Sequence, residues 1–307
     1  MKAQPLVWIV TPVYNGERYL SECIESVIAQ TYFAWEYLIV DNQSTDRTAD
    51  IVRQYAACDS RITLSQNRKF LPIMENWNQA LRRLPADAKY CKVVHADDTL
   101  YPECLEKMSA LSEKYPSVGI VTSYAKWGTE IRHVEGVLYP LEFVDGREIC
   151  RATLEGKCFV FGSPSSLLMR ADLVRERANF YNERNVHADT EACFDVLRTT
   201  ELGFVHEVLT YTRIHEAAIT PSALRINTFA SGWLIILIKY GSDYLSRGAY
   251  TYRMWRAISR YGLFLAKSTV RGKFFDPRFR DHHRSSAALV VRAIARLVNV
   301  WRPQGDR

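Results

Sequence analysis

Short apolar runs alternate with amphipathic helical patterns from residue 6 to residue 122, and this alternation is the strongest constraint on the fold. The segments between the runs repeat apolar residues every three or four positions, which is the spacing of a helix with one buried face. The predicted strands are residues 6–10, 37–40, 62–64, 90–94 and 118–122. Strands and helices in this order are typical of β-α-β units, so we expect an α/β fold with a mainly parallel sheet.

Length and composition agree with a globular protein of one large domain or two smaller ones. The chain has 307 residues, of which 48% are hydrophobic and 24% are charged. These values exclude disordered, collagen-like and coiled-coil proteins. The seven cysteines are scattered without a C-x-x-C pair, which disfavours a structural zinc site and a disulfide scaffold.

No segment has the pattern of a signal peptide or of a membrane-spanning helix. The apolar run at residues 6–10 is not followed by a cleavage-site pattern. The longest uncharged apolar stretch, residues 229–238, is far shorter than the ~20 residues that cross a bilayer. We therefore expect a cytoplasmic protein in a reducing compartment, either soluble or peripheral on the inner face of the cell membrane.

Polar residues directly follow three of the predicted strands. Residues 11–16 follow the first strand, residues 41–46 the second and residues 95–98 the fourth. Ligands of open α/β sheets bind beyond the carboxyl ends of the strands, so three carboxylates, Asp41, Asp97 and Asp98, are aimed at one crevice. Adjacent carboxylates suit a divalent cation such as Mg²⁺ or Mn²⁺, whose remaining ligands are water and substrate phosphates.

The first turn disfavours the common nucleotide-binding motifs. It contains one glycine, Gly16, where a dinucleotide-binding turn needs G-x-G-x-x-G. The sequence also lacks the G-x-x-x-x-G-K-[ST] loop of P-loop proteins and the G-x-S-x-G elbow of α/β-hydrolases. None of these three motifs therefore explains the carboxylates at the crevice.

Three motifs in order resemble those of the family 2 glycosyltransferases, which have the GT-A fold. They are Thr-Pro-Val-Tyr-Asn with Glu17, then Asp-Asn-Gln-Ser-Thr-Asp from Asp41, then His-Ala-Asp-Asp from His95. The resemblance covers roughly residues 5–215. It implies an inverting hexosyltransferase that uses Mn²⁺ or Mg²⁺ and moves a sugar from a nucleotide-diphosphate donor to a hydroxyl of a glycan or lipid-linked acceptor. UDP is the carrier that we expect first, with dTDP and GDP as alternatives.

The same resemblance implies a set of donor-binding residues. The residues that would line the base and the ribose are Thr11, Pro12 and Tyr14. Asp41 would accept a hydrogen bond from the base, Asp97 would contact the sugar part of the nucleotide, and Asp98 would ligate the cation. Ala96 stands where the family has the first acid of its DXD-like motif.

Later residues resemble the catalytic end of the family site. Asp189 matches the position of the catalytic base, with Glu191 as the fallback, although Glu191 is also explained as an acid in the first turn of a helix. Arg213 and His215 resemble the arginine-x-histidine element, in which the arginine contacts phosphate and the histidine approaches the cation. Residues 161–166 would form part of the acceptor side.

Two other functions stay open on the sequence. A nucleotidyltransferase acting on sugar phosphates also combines a Mg²⁺-binding aspartate with a nucleotide, but residues 11–16 lack its glycine-rich loop and its lysine. A catalytically inactive sugar- or membrane-binding module is the second. Retention of Asp41, Asp97, Asp98 and Asp189 disfavours it.

The C-terminal part of the chain is strongly basic. We expect a GT-A domain at residues 1–222 and a basic amphipathic helical region at residues 223–307. Residues 251–307 contain 13 Lys or Arg and 3 Asp, a net charge of +10, whereas the rest of the chain carries −4. Aromatic residues lie between these cations, a mixture that suits anionic lipid headgroups or nucleic acid.

For this region we expect a membrane partner and no nucleic acid. The helices would hold the enzyme at an anionic membrane face, where a lipid-linked acceptor is presented. An oligomer interface is the alternative. The resemblance to the family also implies that this protein takes part in the assembly of bacterial surface polysaccharide or lipopolysaccharide.

Overall fold

The computed structural model describes residues 4–133, 137–185, 187–216, 226–271 and 273–301. The chain divides into two compact units. The first comprises Met1–Ile149 with Cys158–Ile214, and the second comprises Cys150–Lys157 with His215–Arg307. The predicted domain boundary between residues 222 and 223 lies outside the described residues.

Ten strands of the first unit form one mixed sheet. They are β1 (Val7–Val13), β2 (Trp35–Asp41), β3 (Ile62–Gln66), β4 (Tyr90–Val93), β5 (Thr99–Leu100), β6 (Val118–Trp127), β7 (Glu130–Arg132), β8 (Phe143–Asp145), β9 (Leu168–Arg170) and β10 (Glu201–Thr212). The main path runs β3-β2-β1-β4-β9-β6-β10-β5, while β7 pairs with β6 and β8 pairs with β10.

Among the described residues, six helices of the first unit flank this sheet, and a seventh begins in the first unit and ends in the second. The six are α1 (Leu20–Ile28), α2 (Thr48–Cys58), α3 (Ile73–Leu81), α4 (Cys104–Lys114), α6 (Ala171–Arg175) and α7 (Ala188–Val196). The seventh is α5 (Gly146–Leu154). Over its described residues, the second unit has the helices α8 (Thr228–Tyr244), α9 (Arg247–Val270) and α10 (Pro277–Trp301).

The predicted α/β fold with a mainly parallel sheet is confirmed. The five predicted strands correspond to β1, β2, β3, β4 and β6. β1 pairs in parallel with β2 and β4, β2 with β3, and β6 with β10. The apolar stripe of α1 is buried in the core through Leu20, Cys23, Ile24 and Val27. The parallel strands therefore place their carboxyl ends at one edge of the sheet.

Two features of the sheet differ from the sequence prediction. β1 does not end at Val10 but continues to Val13, so Thr11 and Pro12 pair with β2 as strand residues. Strand β9 lies antiparallel between β4 and β6. Its three residues are too few to show a periodicity, which is why the sequence pattern did not reveal it.

The second unit contains three long helices among the residues that the structure describes, in agreement with the predicted helical C-terminal region. Their shared interior is rich in aromatic side chains, including Tyr240, Tyr250, Tyr261 and Phe279, all of which are buried. A Cβ atom added at Gly241 would lie 2.5 Å from the ring of Tyr250, so glycine permits the close approach of α8 and α9. No helix among the described residues has the length and hydropathy needed to cross a membrane.

Candidate active site

The turns that follow β1 and β2 are joined by reciprocal hydrogen bonds. The backbone N–H of Asn15 donates to Ser44 Oγ at 2.8 Å, and Asn15 Oδ1 accepts from the N–H of Thr45 at 2.8 Å. The N–H of Glu17 donates to Asp46 Oδ2 at 3.0 Å. These bonds hold two of the three motifs in one fixed arrangement at the carboxyl edge of the sheet.

Gly16 allows the first turn to pass close to its own strand. A Cβ atom at this position would lie 2.5 Å from Val13 Cγ2, a distance that real Cβ atoms do not reach. The backbone N–H of Gly16 donates to Thr48 Oγ1 at 2.8 Å, which ties the turn to the start of α2. The single glycine of this turn is therefore required by packing.

Asp41 lies fully buried at the carboxyl end of β2. Its Oδ1 accepts from the N–H of Ser44 at 3.0 Å, and its Oδ2 accepts from Gln66 Nε2 at 2.9 Å. The carboxylate thus anchors the turn after β2. Each oxygen keeps one further acceptor position, because an ionised carboxylate offers about four.

The three residues predicted to line the nucleoside have different environments. Thr11 is fully buried, and its hydroxyl donates to the carbonyl of Val94 at 2.7 Å and contacts the hydroxyl of Tyr37 at 2.7 Å. Pro12 is buried in β1, whereas Tyr14 has 49% of its surface exposed. Of these three side chains, that of Tyr14 is the one accessible to a ligand.

A second exposed aromatic ring lies beside Tyr14. The rings of Tyr14 and Phe70 meet edge to face with centroids 5.0 Å apart, and Phe70 is 57% exposed. Asn42 holds the loop of Phe70, because it donates to the carbonyl of Leu71 at 2.8 Å and accepts from its N–H at 3.0 Å. Sequence reasoning missed Phe70. The signal that could have found it is its position shortly after β3, at the same sheet edge.

His95, Asp97 and Asp98 form a group of potential cation ligands. Their donor atoms lie within 4.8 Å of one another. Considering only the described residues, His95 Nε2 and Asp98 Oδ2 are buried polar atoms without a hydrogen-bond partner. One imidazole nitrogen and two carboxylates suit Mn²⁺ or Mg²⁺, so the residues fit the expected cation.

His95 is the member of this group that the sequence motif did not single out as a ligand. The residue lies two positions after the end of β4 and precedes Asp98 by three positions. Burial raises the pKa of Asp98 to about 6, an effect that His95 opposes and the charge of Asp97 reinforces. A bound cation would favour the ionised carboxylate, because it supplies the missing positive charge.

Arg213 lies beside this group because β5 and β10 pair, with Tyr211 opposite Thr99. Its backbone N–H donates to Asp98 Oδ1 at 3.1 Å, and its Nε donates to the carbonyl of Asp97 at 3.2 Å. The guanidinium also pairs with Glu22. The side chain of Arg213, which is predicted to contact phosphate, is therefore held next to the potential metal ligands.

Asp189 lies in the first turn of α7, where its Oδ1 accepts from the N–H of Thr190 at 2.8 Å. Burial raises the pKa of Asp189, while the Thr190 bond and the charge of His95 lower it. The ring of Trp77 lies 4.8 Å from that of His95 and 5.4 Å from that of Tyr181. Trp77 thus packs against both His95 and Tyr181, and the pKa of Tyr181 is raised by burial and by the charge of Asp189.

Glu191 and His215 have other surroundings. Glu191 is 5% exposed, and its Oε2 accepts from Asn182 Nδ2 and Asn185 Nδ2, each at 3.0 Å. This carboxylate therefore ties the preceding loop to α7. His215 is the first residue after Ile214 and belongs to the second unit, so its predicted approach to the cation stays a prediction.

The family model for glycosyl transferase family 2 matches residues 8–175, which is more than half of the chain. The chain belongs to glycosyl transferase family 2. As a member of this family it is 33% identical over 189 residues to the putative glycosyltransferase EpsE of Bacillus subtilis, covering 60% of this chain and 63% of that protein. It is 36% identical over 104 residues to the putative teichuronic acid biosynthesis glycosyltransferase TuaG of the same species, covering 34% and 40%. The chain thus spans less than two thirds of these two relatives.

Solved structures show the fold of this family 2 chain. S. aureus TarS 1–349 has a TM-score of 0.65 at 18% identity, covering 96% of this chain and 82% of that one. Its complex with UDP-GlcNAc has a TM-score of 0.64 at 17% identity, covering 96% and 81%. The mannosyltransferase PcManGT from Pyrobaculum calidifontis, in complex with GDP-Man and Mn²⁺, has a TM-score of 0.57 at 14% identity, covering 98% and 89%. These likenesses establish a GT-A type fold.

Proposed function

We propose that this protein transfers a sugar from a UDP-sugar to a hydroxyl of a glycan or lipid-linked acceptor, with inversion at the anomeric carbon. The observation that carries the proposal is the group of His95, Asp97 and Asp98, whose donor atoms lie within 4.8 Å of one another and to which Arg213 is hydrogen-bonded. The UDP complex of TarS supports the choice of nucleotide, and the name of TuaG supports a cell-envelope polysaccharide as the product.

The donor base lies against the exposed rings of Tyr14 and Phe70 in this proposal. Asp41 accepts a hydrogen bond from the base with an acceptor position that Ser44 and Gln66 leave free. Thr11 and Pro12 act from inside β1, where they support the turn that carries Tyr14, because both side chains are buried. Stacking on aromatic rings favours a planar base without selecting one base by itself.

Asp98 and His95 would hold Mn²⁺ or Mg²⁺, with His215 as a further ligand in the proposal. When bound, such a cation stabilises negative charge on a departing nucleotide diphosphate. Asp97 contacts the ribose. Arg213 exchanges its pairing with Glu22 for the diphosphate, because a guanidinium binds phosphate oxygens in a bidentate manner.

Asp189 acts as the general base. It takes the proton of the acceptor hydroxyl while that oxygen forms a bond to the anomeric carbon, and the bond from this carbon to the diphosphate oxygen breaks. The electron pair of the broken bond leaves with the nucleotide diphosphate. Glu191 is the weaker candidate, because two asparagine amides already occupy its carboxylate.

Release of nucleotide diphosphate tests this proposal. A panel of UDP-, dTDP- and GDP-sugars is incubated with the full chain and Mn²⁺ or Mg²⁺, with and without EDTA. Asp98→Ala is compared with Asp50→Ala, which removes an exposed carboxylate that pairs with Arg53. We expect one donor to be hydrolysed by the wild type and by Asp50→Ala, and not by Asp98→Ala or in EDTA.

Other products would contradict the proposal. Release of pyrophosphate from a nucleoside triphosphate and a sugar phosphate would indicate a nucleotidyltransferase. Donor binding by calorimetry without any turnover in the presence of a panel of lipid and glycan acceptors would indicate a binding module. Undiminished turnover by Asp98→Ala would exclude its role as a cation ligand.

The proposal keeps residues 1–222 as the transferase domain and residues 223–307 as a region that binds anionic lipid. Several exposed apolar side chains lie on one face of helix α9. They fall within an arc of about 80° around the helix axis, because an α-helix has 3.6 residues per turn. They are Tyr252, Trp255, Leu263 and Val270. On α10 the exposed apolar side chains are Val291, Ile294 and Val298.

Cations lie next to both stripes. Exposed basic residues on α9 include Arg256, Arg260 and Lys267, and those on α10 include Arg284, Arg292 and Arg296. An apolar stripe flanked by arginine and lysine is the pattern of a helix that lies in a membrane interface, where tryptophan and tyrosine are also favoured. The net charge of +10 in residues 251–307 supports an anionic surface as the partner.

Vesicle flotation tests this surface. We expect the full chain to float with vesicles that contain phosphatidylglycerol. With vesicles of phosphatidylcholine alone, it should remain at the bottom of the gradient. Trp255→Ser with Leu263→Ser should reduce flotation, whereas Phe33→Ser, which removes an exposed ring of the first unit, should not. Equal flotation with both lipids, or none with either, would overturn the proposal.

Light scattering tests the alternative of an oligomer interface. If the wild type is a dimer and the variant with both serine substitutions is a monomer, the apolar stripe of α9 binds a second copy of the chain instead.

A further inference from the structure

Lys92 is a lysine in the middle of the sheet whose side chain is fully buried. Its Nζ donates to the carbonyls of Ser165 at 2.9 Å and Leu167 at 3.2 Å, and lies 3.8 Å from Met108 Sδ. In the part of the chain that the structure describes, no carboxylate forms an ion pair with it. Burial lowers the pKa of the ammonium group. A buried cation without a counter-ion is costly, so packing alone does not explain this residue.

The position of Lys92 coincides with the end of a strand ladder. β4 pairs with β9 at two positions, Tyr90 with Arg170 and Cys91 with Met169. Beyond this point a 3-10 turn, Pro164–Ser166, precedes β9. The lysine therefore supplies donors to two carbonyls where β9 no longer pairs with β4. An ammonium with three donors on a flexible stem can reach both.

The turn that Lys92 holds is in contact with the group of cation ligands. Ser165 is fully buried, and its Oγ accepts from the backbone N–H of His95 at 3.0 Å. The backbone N–H of Asp98 in turn donates to the carbonyl of His95 at 3.0 Å. A continuous route of hydrogen bonds thus runs from Lys92 through Ser165 to His95 and Asp98.

We propose that Lys92 is a positioning residue that fixes the cation site through Ser165. The amine locks the backbone of the 3-10 turn, the turn places the Ser165 hydroxyl, and the hydroxyl holds the His95–Asp98 turn in one geometry before a cation binds. This inference rests on the cation site of the proposed function. Groups that orient metal ligands affect metal affinity although they do not touch the metal.

Direct measurement of Mn²⁺ binding tests the inference without any turnover. Free Mn²⁺ is quantified by electron paramagnetic resonance in the presence of UDP for the wild type, Lys92→Met, Ser165→Ala and the double variant. Lys92→Met keeps an unbranched stem and removes the donors. We expect each single variant to weaken Mn²⁺ binding by about tenfold. The double variant should be no weaker than the worse single one, because both changes interrupt one route.

Cys91→Ala is the matched control for loss of packing. Cys91 is fully buried in the same strand, and its side chain points to the opposite face of the sheet. This variant should lower the melting temperature and leave the Mn²⁺ dissociation constant unchanged.

Several outcomes would overturn the inference. If Lys92→Met melts earlier but binds Mn²⁺ like the wild type, the lysine has a purely structural role. Additive losses in the double variant would show that two routes exist. Should Lys92→Met fail to fold, Ser165→Ala decides alone, and wild-type affinity in that variant would refute the route. A wild type that binds no Mn²⁺ would remove the proposed cation site itself, which is a distinct result.

Discussion

The backbone N–H of Arg213 donates a hydrogen bond to Asp98 Oδ1 at 3.1 Å, across 115 positions of the sequence. The short ladder between β5 and β10 brings the two residues together. Because the donor is a backbone group, this contact survives any substitution of the arginine except proline. The guanidinium, by contrast, donates through Nε to the backbone carbonyl of Asp97 and pairs with Glu22, and its central carbon lies 4.5 Å from the centre of the Tyr19 ring.

Substitution of Arg213 should therefore separate nucleotide binding from cation binding. We expect Arg213→Ala to weaken UDP binding by tenfold or more, since a charge-assisted hydrogen bond contributes about 1.5–3 kcal/mol. Mn²⁺ binding should change by much less. Calorimetry with UDP and with Mn²⁺ measures both, and Lys114→Ala, which removes an exposed cation paired with Glu142, is the control. Equal loss of both affinities would show that the guanidinium itself shapes the cation site.

The two acids of α7 should respond differently to removal of their charge. Asp189→Asn should lower kcat by about 10²–10⁴, the usual contribution of a general base. Glu191→Gln should retain kcat within a few-fold, because its carboxylate bonds to two asparagines and a neutral carbonyl can accept the same bonds. Sugar transfer assays with melting curves measure both effects. The opposite pattern would transfer the role of the base to Glu191.

Gly16 should tolerate no side chain. In Gly16→Ala the new methyl group would lie 2.5 Å from Val13 Cγ2, so β1 or its turn must shift. We expect a loss of about 1–3 kcal/mol in the free energy of unfolding, together with weaker UDP binding. Gly248→Ala is the control, because nothing lies within 4 Å of a Cβ atom there and alanine favours a helix. A Gly16→Ala variant as stable as wild type would mean that the turn relaxes freely.

Local sequence patterns revealed the part of the site that lies directly at strand ends. Asp41, Asp97 and Asp98 follow strands whose apolar runs are long enough to recognise, so their common edge could be predicted. The position of Phe70 shortly after β3 indicates the same edge, but its contact with Tyr14 could not be predicted, because that contact depends on the bonds of Asn42 to a loop 29 residues away.

The role of Lys92 is even harder to predict from local sequence patterns. Within an apolar strand it looks like an ordinary solvent-facing residue, since a strand with one wet face alternates in this way. Its partners are carbonyls 73 and 75 residues further along the chain. Strand β9 places those carbonyls, and its three residues carry no periodic signal. Tertiary pairing, which a single sequence does not display, therefore determines which polar residues support the site.

Acidification should destabilise the second unit through His283. Its Nδ1 accepts from the hydroxyl of Tyr261 at 2.6 Å, and its Nε2 donates to the carbonyl of Ile226 at 2.7 Å, which fixes the neutral tautomer. Burial lowers the pKa of His283, and it also lowers the pKa of the adjacent His282. The unfolded chain then binds protons more readily than the folded one, so stability falls as the pH drops through the unfolded value of about 6.5.

Melting curves between pH 7.5 and pH 5 measure this effect. We expect the melting temperature of the wild type to fall over that range. His283→Gln should melt earlier at neutral pH, because the buried contacts are disturbed, and should show a smaller decrease on acidification, because one titrating group is gone. His206→Gln is the control, since His206 lies in the first unit. An unchanged pH dependence in His283→Gln would mean that other groups cause the acid sensitivity.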